Sequence, residues 1–172
     1  MGVHLEAPDH TTLSRRSQRL DLALGGLPTN EPIHLIVDST GLSVVGEGEW
    51  AAAKHGGRGK RAWKKLHLGV DQSGVIVAEV LTDGNVDDAK TALNLVNEVE
   101  CDIASFTADA AYDTIAIYDA ATARGAKVIV PPRISATRST RSCARNRTVR
   151  RVRKVGRRRW KKESGFHQRR LA

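Results

Sequence analysis

Cysteine is scarce in this chain of 172 residues: Cys101 and Cys143 are the two, and they match no metal-binding spacing. A disulfide framework is therefore not indicated, and a reducing cytoplasm fits. Long apolar runs are missing as well, since no stretch approaches the ~20 residues needed to span a bilayer. The opening "MGVHLEAPDHTTLSRRSQRL" has no apolar signal core, and Glu6 spoils a myristoylation signal, so secretion and a lipid anchor are not expected. Acids are almost absent from the end. From Pro131 onward Glu163 stands alone against 16 Lys and Arg, whereas the first 130 residues hold 18 acids and 12 Lys and Arg. A slightly acidic body thus carries a strongly basic tail, and the net charge of +9 is concentrated there. That asymmetry points to a polyanion, DNA or RNA ahead of a membrane surface. The plain alternative is a solvated basic extension.

What is present suits one domain, with an apolar fraction of 40% that supports a core. Residues 1–31 form a polar segment in which "DHTTLSRRSQRLDLAL" suggests a helix capped by Asp9, Thr11 or Thr12. "PIHLIVD" (32–38) reads as a buried strand, and "GLSVVGEGEW" as a turn and a short second strand. "AAKHGGRGKRA" (52–62) reads as a basic glycine loop. "WKKLHLGVD" (63–71) and "VIVAEVLTD" (75–83) read as a hairpin turned at "QSG". "NVDDAKTALNLVNEVE" (85–100) is helical in spacing, with Val86, Ala89, Leu93, Val96 and Val99 on one face and Asp87 and Asp88 in the first turn. "IASFTADAAYD" (103–113) reads as a strand and "TIAIYDAATARG" (114–125) as a helix ended by Gly125. "AKVIVPP" (126–132) is a strand stopped by prolines. Residues 133–147 read as loop, and the remaining basic tail as helical in parts, interrupted by Gly156 and Gly165. This order predicts a mixed α/β sheet flanked by helices, with a basic C-terminal extension.

Two of these strands run into acids, Asp38 and Asp109. If the strands lie side by side, the carboxylates meet and repel unless a proton or cation sits between them. Mg²⁺ takes such oxygen ligands, and paired ions serve phosphodiester chemistry. Each Asp taken singly is as well explained as a turn former or helix cap, with Asp113 also available to cap the following helix.

The blocks "VDSTGLSVVGEGEW", "KHGGRGKRAWKKLHLGVD", "LTDGNVDDA" and "SFTADAAYD" closely resemble the DDE transposases of bacterial insertion sequences, over almost the whole chain. The resemblance implies an RNase H-like fold and DNA cleavage and strand transfer by three acids with Mg²⁺ or Mn²⁺. It implies as partners the DNA of the element's ends and its target, with a homo-oligomer compatible. It makes residues 1–31 the remnant of a DNA-binding region, 32–132 the catalytic core, and 133–172 a basic loop and the start of the C-terminal helix. Asp38 matches the first acid and Asp109 the second. For the third, the family pattern Tyr-x2-Arg-x3-Glu-x6-Lys/Arg aligns in two ways. One takes Glu163, with Arg159 and Arg170 in register and Gly156 in place of Tyr. The other takes Phe166 for Tyr and Arg169 for Arg, and puts the Glu immediately after Ala172. The second keeps the aromatic and is preferred, so this copy is expected to be truncated and inactive alone. The alternative is a nucleic-acid-binding remnant or regulatory subunit.

For DNA contact the candidates are Lys54, Arg58, Lys60, Arg61, Lys64 and Lys65 around the glycine loop, and Arg157, Arg158, Arg159, Arg169 and Arg170 in the tail. Trp50 and Trp63 flank the loop; they could stack on unpaired bases but read more readily as partial core residues. His67 reads as a packed strand histidine rather than a ligand. Ser39, Thr40 and Gly41 read as the turn presenting Asp38.

Overall fold

The computed structural model describes Thr11, Arg15 and residues 31–44 and 62–171, without the side chains of Val44, Ala62, Gln168, Arg170 and Leu171. Its elements are β1 (Ile33–Val44), β2 (Ala62–Val70), β3 (Ile76–Asp83), α1 (Asp88–Glu98), β4 (Ile103–Thr107), a 3-10 turn (Ala110–Tyr112), α2 (Ile115–Ala123), β5 (Lys127–Ile129), α3 (Cys143–Val155), α4 (Arg157–Ser164) and a last 3-10 segment (Phe166–Leu171). The five strands form one sheet in the order β3-β2-β1-β4-β5. β1, β2 and β3 are antiparallel neighbours, while β1, β4 and β5 run parallel. A mixed sheet of this order, flanked by helices, is consistent with an RNase H-like fold. Thr11 and Arg15 are helical; the rest of the helix expected there lies outside the described residues.

Strand alternation decides which face is the core. Ile33, Leu35 and Val37 of β1 join Leu95 and Val96 of α1, Phe106 of β4 and Ile117 and Ala121 of α2 in one buried cluster. Leu35 and Leu95 are completely enclosed, and burying each contributes about 1.5–3 kcal/mol. In α1 the buried stripe is Ala89, Ala92, Leu95 and Val96, so Leu95 rather than Leu93 leads the apolar face. Asp87 is the N-cap of that helix and accepts from the Lys90 amide. Thr114, not Asp113, caps α2. Gly125 follows the α2 C-cap with φ of 72°, a left-handed geometry that glycine adopts without strain.

Three local expectations change. Ser39, Thr40 and Gly41 are not a turn: β1 continues through them, because β2 pairs with it without interruption from Ile36↔Val70 to Val44↔Ala62. The strand at 103 stops at Thr107 instead of reaching Asp113, and Asp109 caps the 3-10 turn that follows. The loop expected over 133–147 ends early, since α3 begins at Cys143 with Ser142 as its N-cap. The hairpin from 63 to 83 forms as expected, with Asp71 Oδ1 accepting from the Ser73 and Val75 amides in its turn.

The basic helices are docked rather than free. Val149 of α3 and Trp160 of α4 are buried. Gly156, with φ of 81°, separates the two helices. The Arg145 guanidinium grips the buried Asp113 carboxylate at 2.7 Å through both Nε and Nη2. Among the described residues no helix is long and apolar enough to cross a membrane.

Candidate functional site

Asp38 owes its position to a mismatch in strand length. On one side β2 stays paired with β1 past this residue, with Leu68 opposite Asp38. On the other side, parallel pairing with β4 ends at Ile36↔Thr107. Asp38 lies two residues beyond Ile36, and Asp109 two residues beyond Thr107. Both acids thus follow the last residues that pair β1 with β4, at the carboxyl end of β4, where ligands commonly bind in open α/β sheets. Asp38 is rigidly held by β2 yet its side chain is 56% exposed.

The carboxylates are oriented by short-range bonds. Asp38 Oδ1 accepts from the following Ser39 amide at 3.0 Å, and its Oδ2 accepts from Arg169 Nη2. Asp109 Oδ1 accepts from the Ala111 amide at 2.7 Å. Tyr112, in the 3-10 turn that Asp109 caps, is almost wholly enclosed. Burial raises its phenol pKa, a hydrogen bond with the Ser39 side chain opposes this, and the charges of Asp88, Asp38 and Asp109 add to the rise. Asp38 and Asp109 offer hard oxygen donors at a solvent-accessible edge, a donor set that fits Mg²⁺ or Mn²⁺ bound with water and phosphate oxygens.

Glu163 is placed differently. Its Oε2 accepts from Arg151 Nη2 at 2.7 Å and its Oε1 from Arg159 Nε at 2.8 Å. The Arg151 hydrogen bond, then that of Arg159, holds its carboxyl below the usual range. Among the described residues no group of three His, Cys, Asp or Glu is arranged to hold a metal ion.

The expected DNA-contacting cations divide into three groups. Lys54, Arg58, Lys60 and Arg61, with Trp50, lie outside the described residues, as does the Arg170 side chain. Lys64 pairs with Asp83 at 2.6 Å, and Lys65 with Asp88 Oδ1 at 2.9 Å. In the tail, Arg157 donates to the Pro132 carbonyl, Arg159 binds Glu163 and Arg169 binds Asp38, while Arg158 is exposed. Trp63 is 52% exposed, so it is not the partial core residue expected; its ring lies across Gly41. His67 is packed, as expected, and fully buried. The residues alone did not single out Tyr112. Tyr112 falls three residues after Asp109 in "DAAYD", and its place beside the strand ends was the available signal.

A family model described as a transposase DDE domain matches residues 29–170. The chain belongs to the DDE transposase family. A second model with the same description matches residues 1–47. No solved structure matches the chain. The longer DDE match spans Asp38, Asp109, Glu163 and Arg169. As a DDE transposase domain the chain has a transposase function, with DNA as the substrate.

Proposed function

We propose that this chain is the core of an insertion-sequence transposase, in which Asp38 and Asp109 together hold Mg²⁺ or Mn²⁺ against a DNA phosphate. What supports this reading is the strand-length mismatch: parallel pairing of β1 with β4 ends at Ile36↔Thr107, two residues before each acid, while β1 continues along β2. Held by these two carboxylates, a divalent ion would supply charge stabilisation for phosphoryl transfer. The chain's own residues fix the donors. β2 holds Asp38 in the sheet, the Ala111 amide orients Asp109, and the Arg169 guanidinium holds the outer oxygen of Asp38. The exposed Arg158 and Lys162 neutralise DNA phosphates nearby, which makes binding fall with salt.

The two acids need a third carboxylate for strand transfer, and Glu163 is committed to Arg151 and Arg159. This chain alone is therefore expected to bind DNA without completing transfer. That favours, for the isolated chain, the second reading of a nucleic-acid-binding or regulatory copy. The test combines a gel-shift titration against duplex DNA with a Mg²⁺-dependent strand-transfer assay. Salt-sensitive binding without transfer is expected. Transfer abolished by Asp38→Asn would overturn the inactivity and make Glu163 the acid to test. No binding at low salt would overturn the DNA-contact reading.

A further inference from the structure

A groove of about 340 Å³ opens between α2, β5, α3 and α4. Neither Asp38 nor Asp109 lines it. β5 is the last strand in the sheet order, so the groove lies at the edge of the sheet. Its volume falls within the range of about 300–1,000 Å³ that small ligands fill.

The floor is apolar and the rim is cationic. Tyr118, Ala126 and Trp160 line the groove and are themselves buried. The Tyr118 hydroxyl donates to the Val130 carbonyl at 3.1 Å, so this residue offers a ligand its ring. Trp160 is braced by Phe166, their ring centroids 6.4 Å apart. Lys127, Arg147 and Arg151 also line the groove, and all three are exposed. No Asp or Glu among the described residues lines it. Arg151 shares Glu163 with Arg159. The side chains of Lys127 and Arg147 have no hydrogen-bond or ion-pair partner among the described residues. Surplus positive charge above an aromatic floor suits an anion that also has a flat apolar face.

The substrate class narrows the choice. Duplex DNA stacks its bases inside and shows a groove only phosphate and sugar. An unpaired nucleotide shows both a phosphate, which an arginine fork holds through two N–H groups, and a base face that lies on aromatic side chains. An acidic peptide satisfies the cations but leaves the floor unused. We propose that this groove seats one unpaired nucleotide of single-stranded DNA, with its phosphate at Lys127 and Arg147 and its base on the floor of Tyr118, Ala126 and Trp160. The helices that close the groove also brace the two acids. Arg145 of α3 holds Asp113, which ends the 3-10 turn that Asp109 caps, and Arg169, beyond α4, holds Asp38. The proposal rests on DNA as the substrate and not on Asp38 and Asp109 as cation ligands.

The test uses the full chain in EDTA, so that metal binding plays no part. Fluorescence anisotropy compares a labelled oligothymidylate with a duplex of the same length. Lys127→Gln combined with Arg147→Gln removes two cations that bond nothing else. It should weaken single-strand binding about tenfold and reduce the slope of log affinity against log salt by about 1.4, at about 0.7 per phosphate contact. Duplex affinity should change less than about threefold. Ala144→Phe fills the groove and leaves every charge in place. It should also weaken the single strand about tenfold, with the salt slope unchanged. Circular dichroism confirms that each variant folds. Unchanged single-strand affinity in the double variant would overturn the site, whatever Ala144→Phe does. An equal loss for the duplex would overturn the seated base and leave a phosphate contact. Oligoglutamate that binds more tightly than oligothymidylate, and is lost in the double variant, would make an acidic peptide the occupant instead. None of these outcomes depends on whether Asp38 and Asp109 hold Mn²⁺.

Discussion

Replacing Arg145 with Ala should loosen the basic helices from the sheet and destabilise the whole chain. Asp113 is the reason. Its side chain is fully enclosed and that of Arg145 is 12% exposed. The carboxylate receives Arg145 Nε and Nη2 at 2.7 Å each and the Arg133 amide at 2.9 Å. The paired bonds form a fork in which Asp113 pushes the Arg145 pKa up. Removing the guanidinium leaves a buried carboxylate with one amide donor. Breaking a buried pair from one side costs about 3–5 kcal/mol. For a chain of this size that corresponds to roughly 6–20 °C in Tm. Urea unfolding followed by circular dichroism would measure it. Arg145→Lys keeps the charge but loses the fork, and should fall between Ala and the unaltered chain. The double replacement Asp113→Asn with Arg145→Met should cost less than Arg145→Ala alone, since no charge is then stranded. If Arg145→Ala cost less than about 1 kcal/mol, the pair would behave as a solvated surface contact, and the argument from burial would fail.

Three further outcomes follow from named contacts. Burial lowers the His67 pKa below 6.5, so below pH 6.5 the unfolded chain takes up a proton that the folded chain resists; stability should be full above that pH and fall as pH drops towards the folded pKa. His67→Gln should flatten this part of a Tm-against-pH curve. Gly84→Ala would place its Cβ 2.9 Å from the Trp63 carbonyl oxygen and 3.0 Å from Trp63 Cβ, a clash with backbone expected to cost about 1–3 kcal/mol in urea unfolding. Arg158→Ala should weaken DNA binding uniformly across sequences and reduce the slope of log affinity against log salt by about one, as measured by fluorescence anisotropy.

The sheet was legible because its signals are local. Alternation at Leu66, Leu68 and Val70, the "QSG" turn, and the helical spacing after Asp87 each identified an element from its own residues. Asp38 was legible as a candidate for the same reason: an apolar run leads into it. Its setting was not, because the Ser39-Thr40-Gly41 composition favours a turn, whereas an unbroken ladder with β2 holds these residues as strand. Pairing partners distant in sequence decided the case. The polar tail misled in the same way. Its Ser, Thr and Arg content resembles solvated loop, and the docking of α3 depends on Asp113, 32 residues before Arg145. The approach of Asp88 to the buried His67, at 3.9 Å, was invisible for a related reason, since the two stand on different elements and neither signals the other. Glu163 stood out as the tail's lone acid, a count that says nothing about the two arginines bound to it.

Direct titration of Mn²⁺ into the unaltered chain, Asp38→Asn and Asp109→Asn, read by electron paramagnetic resonance with circular dichroism to confirm folding, tests the central claim most directly. The account predicts one class of bound Mn²⁺ in the unaltered chain that either replacement alone removes. Bound Mn²⁺ that survives both replacements, or survives one of them at full affinity, would contradict a site built jointly from the two acids.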